Sequence, residues 1–437
     1  MSNSNDEQAY LFKAFLFALT LSIIGFFLTL CYNIALSRML TPESYGNFKT
    51  AETFVGLAQM TVLLGGNFAT FSIFPKLLKQ NRDFMVWEYL RFYMLIGVIV
   101  SLCVGGVLTV IEYEDTKRLT DYHPILFAVF AIPFAAALRL LRDTAIIKKR
   151  LIIAYIPKQL GYPLFILLAL SIFYSLHIEL TSNVAIFIVI SNYIFLTVIV
   201  FSIMNVKESG PESQQKRKYV FHRYWLNYAF PMMFVFVLNM LMSQMCIYLL
   251  EIFGSEGQIG YFAACFTIVQ IFIVVQSSVA GIIQPSMSTA YENGVAQMSK
   301  LNGQGVRQLF FISFILSSII VIFGEQLLTF FGKEYSDYYL SLVVMVFAYF
   351  IQTVSFLQQA WLRHSGHAKQ ALYGALSAVI INIALLLFSI PSYGVFGVAM
   401  SVLVSFVCML FINTILMKKY LGLYGWALHL KDMRFSF

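Results

Sequence analysis

Charge is scarce in this sequence. Asp, Glu, Lys and Arg together make up 11% of its 437 residues, against about a quarter in an ordinary soluble domain. Hydrophobic residues make up 59% and aromatics 16%, and mean hydropathy is +0.78. A water-soluble fold cannot hide that much apolar surface, so a polytopic membrane protein is expected. Cysteine is scarce too. Cys31, Cys103, Cys246, Cys265 and Cys408 lie far apart inside apolar segments. They form no CxxC pair or disulfide framework and read as small core residues. His123, His177, His364 and His367 show no metal-ligand spacing, so no metal and no cofactor is expected. The amino terminus, MSNSNDEQAY, lacks the basic stretch that opens a cleaved signal peptide. The first apolar segment therefore reads as a retained membrane helix.

What is present is a succession of long apolar runs. Windows of about 20 apolar residues give twelve expected spans. Their approximate limits are 14–37, 50–74, 91–111, 124–147, 151–175, 182–205, 225–250, 260–284, 308–331, 339–362, 370–391 and 394–417. The connections are short, and the longest polar one, 206–223, is too small for a soluble catalytic domain. With both termini in the cytoplasm, 23 of the 29 Lys and Arg residues fall on the cytoplasmic side. Five (Arg38, Lys49, Lys117, Arg118 and Lys333) fall opposite, and Lys158 lies within a span. That asymmetry sets the orientation. The formal net charge of +8 is spread over short loops with no aromatic-basic platform, so no nucleic-acid partner is expected.

The chain also shows a weak internal repeat. SYGNF at Ser44–Phe48 follows the first span and QIGYF at Gln258–Phe262 follows the seventh. Each precedes an apolar span that reaches a proline, Pro75 and Pro285 respectively. Six spans per half give two bundles of the same orientation, related by an axis along the membrane normal. The expected organisation is a cytoplasmic tail at 1–12, a six-helix bundle at 13–205, a linker at 206–223, a second bundle at 224–417 and a cytoplasmic tail at 418–437.

Three stretches carry a family resemblance. ALSRMLTPESYGNF (Ala35–Phe48) closes the first span, Ile259–Gly294 covers the eighth-helix region, and Gly366–Phe406 holds Asn382, Pro391 and the YGVFG turn. In that order they resemble Wzx-type polysaccharide and O-antigen flippases, a family of the multidrug/oligosaccharidyl-lipid/polysaccharide exporter superfamily. The resemblance covers nearly all of 13–417. It implies an all-α integral membrane fold, MATE-like, with about twelve transmembrane helices in two bundles around a central cavity. It also implies transfer of an undecaprenyl-diphosphate-linked oligosaccharide from the cytoplasmic to the outer leaflet of the inner membrane. Membrane lipid is then a partner, and a polysaccharide polymerase with its chain-length machinery stands as a candidate partner.

The charges inside spans are the candidate site. Arg139 lies nine residues before Lys148, about 13 Å along a helix, with Arg142 and Asp143 one turn later. Lys158 sits eight residues past Arg150, between Pro157 and Pro163, whose rings should distort the helix. Mid-membrane charges cost about 2.5–3.5 kcal/mol each on insertion scales and normally face an interior or water. Two readings stand. Arg139 and Arg142 snorkel to headgroups while Asp143, at i,i+4 from Arg139, neutralises one of them. Alternatively Arg139, Arg142 and Lys158 form a cationic patch for a diphosphate, which an arginine fork pairs through two oxygens. Arg38, Lys49 and Glu52 cluster where they could receive the diphosphate at the outer mouth, or anchor the TPESYG turn. Arg307 opens the ninth span as a further cation or as a positive-inside anchor. Asn33, Asn239, Gln244, Gln270, Gln276, Gln352 and Gln358 could bond sugars or join helices.

Three rivals are weighed against this. A drug/cation antiporter of the same superfamily relies on membrane-buried acids, yet the first and tenth spans hold none and the seventh only Glu251. A membrane enzyme would need paired acids or a His/Asp centre, and Glu112, Glu114 and Asp115 read as a solvated turn, so no catalytic residue is expected. A lipid II-type flippase is similar but typically has fourteen spans.

Overall fold

The computed structural model describes residues 2–63, 70, 74, 83–113, 123–204 and 244–425. Among these, every regular element is a helix. The amino-terminal part comprises α1 (Ser2–Met39), α2 (Pro42–Val62), α3 (Asp83–Tyr113), α4 (Pro124–Ala128), α5 (Ile132–Ile147), α6 (Leu151–Ile156), α7 (Tyr162–Ser175) and α8 (Ser182–Met204). There follow α9 (Gln244–Phe253), α10 (Glu256–Val269), α11 (Ile271–Glu292), α12 (Val295–Phe331), α13 (Tyr339–His364) and α14 (Ala368–Leu421). Nine segments among the described residues are long and apolar enough to cross a membrane. Leu102 is 69% exposed and Phe388 80%. Such side chains on the outside of a folded chain mark lipid contact, and the protein is a multi-pass membrane protein.

The last of the nine segments is a hairpin. Fifty-four residues of α14, if straight, would run about 81 Å, far beyond a hydrocarbon core of about 30 Å. Pro391 interrupts the ladder and Gly394 adopts φ 50° and ψ −128°, so the chain reverses there. The two arms then face each other. Ser389 Oγ lies 2.8 Å from Ser401 Oγ, and Gly374 packs flat against the Asn413 amide. One apolar segment therefore holds the two spans expected at 370–391 and 394–417. At the other end of the chain, the expected polar tail at 1–12 is helical from Ser2 as part of α1. The linker at 206–223, residues 225–243 of the expected seventh span, Asn239, Pro75, Lys117 and Arg118 lie outside the described residues.

The chain divides into two compact units. One comprises Phe27–Glu251 with Ser255–Gly260, the other Met1–Phe26, Ile252–Gly254 and Tyr261–Phe437. The seam along the chain thus falls inside α1 and around the junction of α9 and α10. In the unit that holds α2, the two motifs of the internal repeat meet. A side chain on Gly260 would collide with the Pro42 carbonyl, and the Gly46 amide lies beside the same position. Thr41 caps α2 through Ser44 N–H at 3.2 Å, with Pro42 in the first turn. The TPESYG turn is therefore a helix start built for close backbone approach. Nearby, Glu251 accepts from Thr50 at 3.0 Å and lies 3.3 Å from His123 Nε2.

Cysteines depart from expectation. Cys246 and Cys265 are buried, but Cys31 and Cys103 are exposed. In a bilayer the outside is as apolar as the core, so an apolar neighbourhood does not imply an inward position. The other unit packs around Trp361, which is fully buried among Met298, Val306, Leu357 and Met417. Its indole donates to Asn302 at 3.0 Å. Trp361→Ala should lower the stability of the detergent-purified protein by about 3–5 kcal/mol through the cavity and the orphaned amide. Thermal unfolding read by intrinsic fluorescence checks this.

Candidate functional site

Helix α5 presents a run of three alanines, Ala135, Ala136 and Ala137, all buried. Small residues let neighbouring helices approach its backbone, and α5 packs against both α3 and α8. The register of that packing leaves Arg139 and Arg142 on an adjoining face. They line a small open recess, about 40 Å3 of which is cavity, together with Lys158, Tyr193, Gln59 and Pro157. All of these residues belong to one unit. The three cations singled out inside spans are therefore brought together.

Among the described residues neither guanidinium is in an ion pair. The Nε atoms of Arg139 and Arg142 are buried without a hydrogen-bond partner, and no ion pair joins either to Asp143 among the described residues. Arg142 instead stands 5.5 Å from the ring centroid of Tyr155. Asp143 is 5% exposed and is near enough to act on both arginines electrostatically, but the expected i,i+4 bridge from Arg139 does not form. The side chains leave the helix toward different surroundings, Arg139 into the recess and Asp143 into the packed interior.

Lys158 owes its position to the two prolines beside it. Pro163 has no N–H to offer the carbonyl four residues back, and its ring crowds that carbonyl. The chain answers with a π-turn at Pro157–Gly161, in which Tyr162 N–H reaches the Pro157 carbonyl. Such turns rotate the side chains that follow. Lys158 Nζ lies 3.9 Å from the centroid of Tyr162 and 5.3 Å from that of Tyr193, and 3.4 Å from Tyr193 Oη. Two aromatic faces hold the ammonium at the recess. The buried Asn192 amide donates to the Tyr162 carbonyl at 2.9 Å and steadies the turn.

Tyr162 also joins this recess to a second group. Its hydroxyl donates to Glu52 at 3.1 Å, as Tyr32 does at 3.0 Å. Glu52 pairs with Lys49 one turn earlier on α2. Lys49 donates further to Asn33 Oδ1 at 3.0 Å, which also accepts from Tyr45. Lys49 and Glu52, read as a mouth cluster, thus form a mostly buried and well-bonded pair. A relay of contacts runs from Lys49 through Glu52 and Tyr162 to Lys158. Arg38 stands apart from it, exposed at the end of α1 with a partner of its own. Arg307 is half-buried on α12 in the other unit. The tyrosines were missed in the sequence because abundant Tyr reads as interfacial. The one available signal was Tyr162 beside Pro163.

The polar residues singled out for joining helices include three that do so. Gln276 donates to Gln352 at 2.8 Å and to Thr353 at 2.9 Å, and Gln358 donates to Thr414 at 2.9 Å. Among the described residues no cluster of three or more His, Cys, Asp or Glu side chains could hold a metal.

Fold and recess together describe an α-helical multi-pass membrane protein with a cation-lined cavity inside one unit. Solved structures that this chain matches include transporters and a flippase. A multidrug resistance MATE family transporter of the MOP superfamily, in an inward-facing conformation, matches with a TM-score of 0.69 at 14% identity, over 90% of this chain and 94% of that one. The lipid II flippase MurJ, in an inward closed conformation, matches at 0.69 and 14%, over 92% and 87%. A MOP superfamily transporter from Pyrococcus furiosus, described as having a binding pocket of reversed polarity that suggests a different function, matches at 0.67 and 15%, over 93% and 96%. The chain has the fold these proteins share. No family model and no curated protein matches the sequence.

The Lys49–Glu52 pair yields a test of the network. Lys49→Met leaves the Glu52 carboxylate with its two tyrosine donors and no directly paired cation, and should destabilise by about 3–5 kcal/mol. Lys49→Met/Glu52→Gln removes both charges and should recover most of that loss. Thermal unfolding of the two variants in detergent checks it.

Proposed function

We propose that the protein is a flippase that moves an undecaprenyl-diphosphate-linked oligosaccharide, an O-antigen or other surface-polysaccharide repeat unit, from the cytoplasmic to the outer leaflet of the inner membrane. The observation that carries this reading is the recess where Arg139, Arg142 and Lys158 converge with no carboxylate bridged to them among the described residues. Three cations in a low-dielectric setting call for a multiply charged anion, and a diphosphate supplies two charges and several acceptor oxygens. Arginine forks suit those oxygens, while the ammonium between two tyrosine rings can swing toward them. On this reading two six-helix bundles, twelve spans in all, expose the site alternately to each side. Both termini are cytoplasmic. Arg38, Lys49 and Glu52 lie on the outward path, and Arg307 is a further substrate-binding cation. Lipid, a polymerase and its chain-length machinery are the partners this role calls for.

A second reading rests on Glu52. A carboxylate set among Tyr32, Tyr162 and Lys49 is the kind of group that a proton- or sodium-coupled multidrug antiporter of the same superfamily would use. Lys49 already compensates its charge, which weakens that use. A lipid II-type flippase shares the diphosphate chemistry and differs in the group carried and in its typical span count.

The test is made in cells deleted for the gene, with alleles restored singly. Lipid-linked oligosaccharide should accumulate on the cytoplasmic leaflet and be cleared by wild type. Arg139→Ala and Lys158→Ala should each reduce clearance by about ten-fold or more, the effect of losing one charge-assisted hydrogen bond. Accumulated lipid II instead would assign the lipid II reading. Normal surface glycan with heightened sensitivity to cationic drugs would assign the antiporter reading. Outward movement of two negative charges through 100 mV is worth about 4.6 kcal/mol. Collapsing the membrane potential should therefore slow export, measured as appearance of the glycan in the outer leaflet.

A further inference from the structure

A second recess, apolar throughout, lies on the other side of the α5–α8 seam from the cations. Its floor is Ala137 and Leu141 of α5, and its walls are Leu90 and Met94 of α3 and Val198 of α8. Counting its open side it encloses about 700 Å3. Thr197 contributes the one hydroxyl, already committed to the Phe134 carbonyl at 3.0 Å. Val198 is 56% exposed, so the groove opens to the lipid. At one end the rings of Trp87 and Phe201 approach to 5.2 Å and flank it.

The direction of the groove follows from the packing. Gly97 of α3 lies against Pro133 of α5 and Gly105, two turns on, against Val129, which comes earlier in the chain, so α3 and α5 run antiparallel. Trp87 is then level with the part of α5 that leads into its carboxyl end. From Trp87 to Met94 is seven residues, about 10 Å of helix, so the long axis lies along the helices, as lipid chains do. Seven residues beyond Leu141 comes Lys148, followed by Lys149 and Arg150. A basic run therefore stands beyond the Trp87 end, where a headgroup would sit.

We propose that this groove holds one acyl chain of an anionic phospholipid, its headgroup against Lys148, Lys149 and Arg150. The Trp87 indole N–H is the one unpaired donor among the described lining residues, too few for ordered water, and apolar walls left unfilled forfeit dispersion contacts. A chain restores those contacts, and the basic run favours a negative head. The groove and the cation recess both use α5 and α8. A lipid wedged among α3, α5 and α8 would therefore fix the α5 face that carries Arg139 and Arg142. The inference does not rest on the flippase reading.

Native mass spectrometry of the full chain, delipidated and then given defined lipids, tests it. Wild type should retain one phosphatidylglycerol about five-fold or more better than phosphatidylcholine with the same chains. Ala137→Phe, which fills the groove, should weaken retention about ten-fold or more. Val198→Phe at the rim serves if Ala137→Phe does not fold. Lys148→Gln/Arg150→Gln should reduce the preference for phosphatidylglycerol while leaving phosphatidylcholine retention unchanged. Equal retention by wild type and the groove-filling variant overturns the proposal, as does equal retention of the two phospholipids. Undecaprenyl phosphate held more strongly than phosphatidylglycerol would also overturn it, and give the groove to the carrier lipid.

Discussion

A charge inside a bilayer must find a partner or a polar space, because leaving it in hydrocarbon costs several kcal/mol. The structure meets that constraint twice within one unit, in two different ways. Lys49 and Glu52 satisfy it by pairing, with Tyr32, Tyr162 and Asn33 completing the bonds. Arg139, Arg142 and Lys158 meet it by sharing a recess. The rest of the local architecture follows from this difference. Alanines on α5 turn the arginines away from the helix–helix seam, and two prolines force the π-turn that brings Lys158 over the aromatic rings. A paired group is stabilised and held, whereas cations at an open recess are left available to a ligand.

Tyr162 links the two solutions. Its ring faces the Lys158 ammonium and its hydroxyl faces the Glu52 carboxylate. An anion that drew Lys158 off the ring would change the field at Glu52 across a single side chain. Helices α5 and α8 likewise serve two surfaces, with cations on one side of their seam and an apolar groove on the other. Substrate and bilayer would therefore act on the same pair of helices.

Much of this was legible in the sequence through depth alone. The distance of Arg139 and Lys158 from the Lys148–Arg150 run placed them inside spans, and the prolines marked the distorted turn. Their facing was not legible, because both sides of these helices are apolar. Lys49 and Glu52 read as a mouth cluster since their partner Tyr162 is 110 residues away from Glu52 in sequence. The repeat motifs were visible as SYGNF and QIGYF, but only the fold brings Gly46 and Gly260 together. Spans at the carboxyl end were separable at Pro391 and Gly394, where the chain does reverse. Burial of cysteines was not, since a lipid-facing surface and a core have the same composition.

The most direct measurement is equilibrium binding of undecaprenyl diphosphate and of undecaprenol to the purified protein in neutral-lipid nanodiscs, at low and high salt. If the recess is an anion site, the diphosphate should bind at least about ten-fold more tightly than the alcohol, and salt should erode the difference. Arg139→Ala/Arg142→Ala should abolish the preference while leaving the alcohol unaffected. Equal binding of the two lipids by the wild-type protein, or a preference that survives loss of both arginines, would contradict the account.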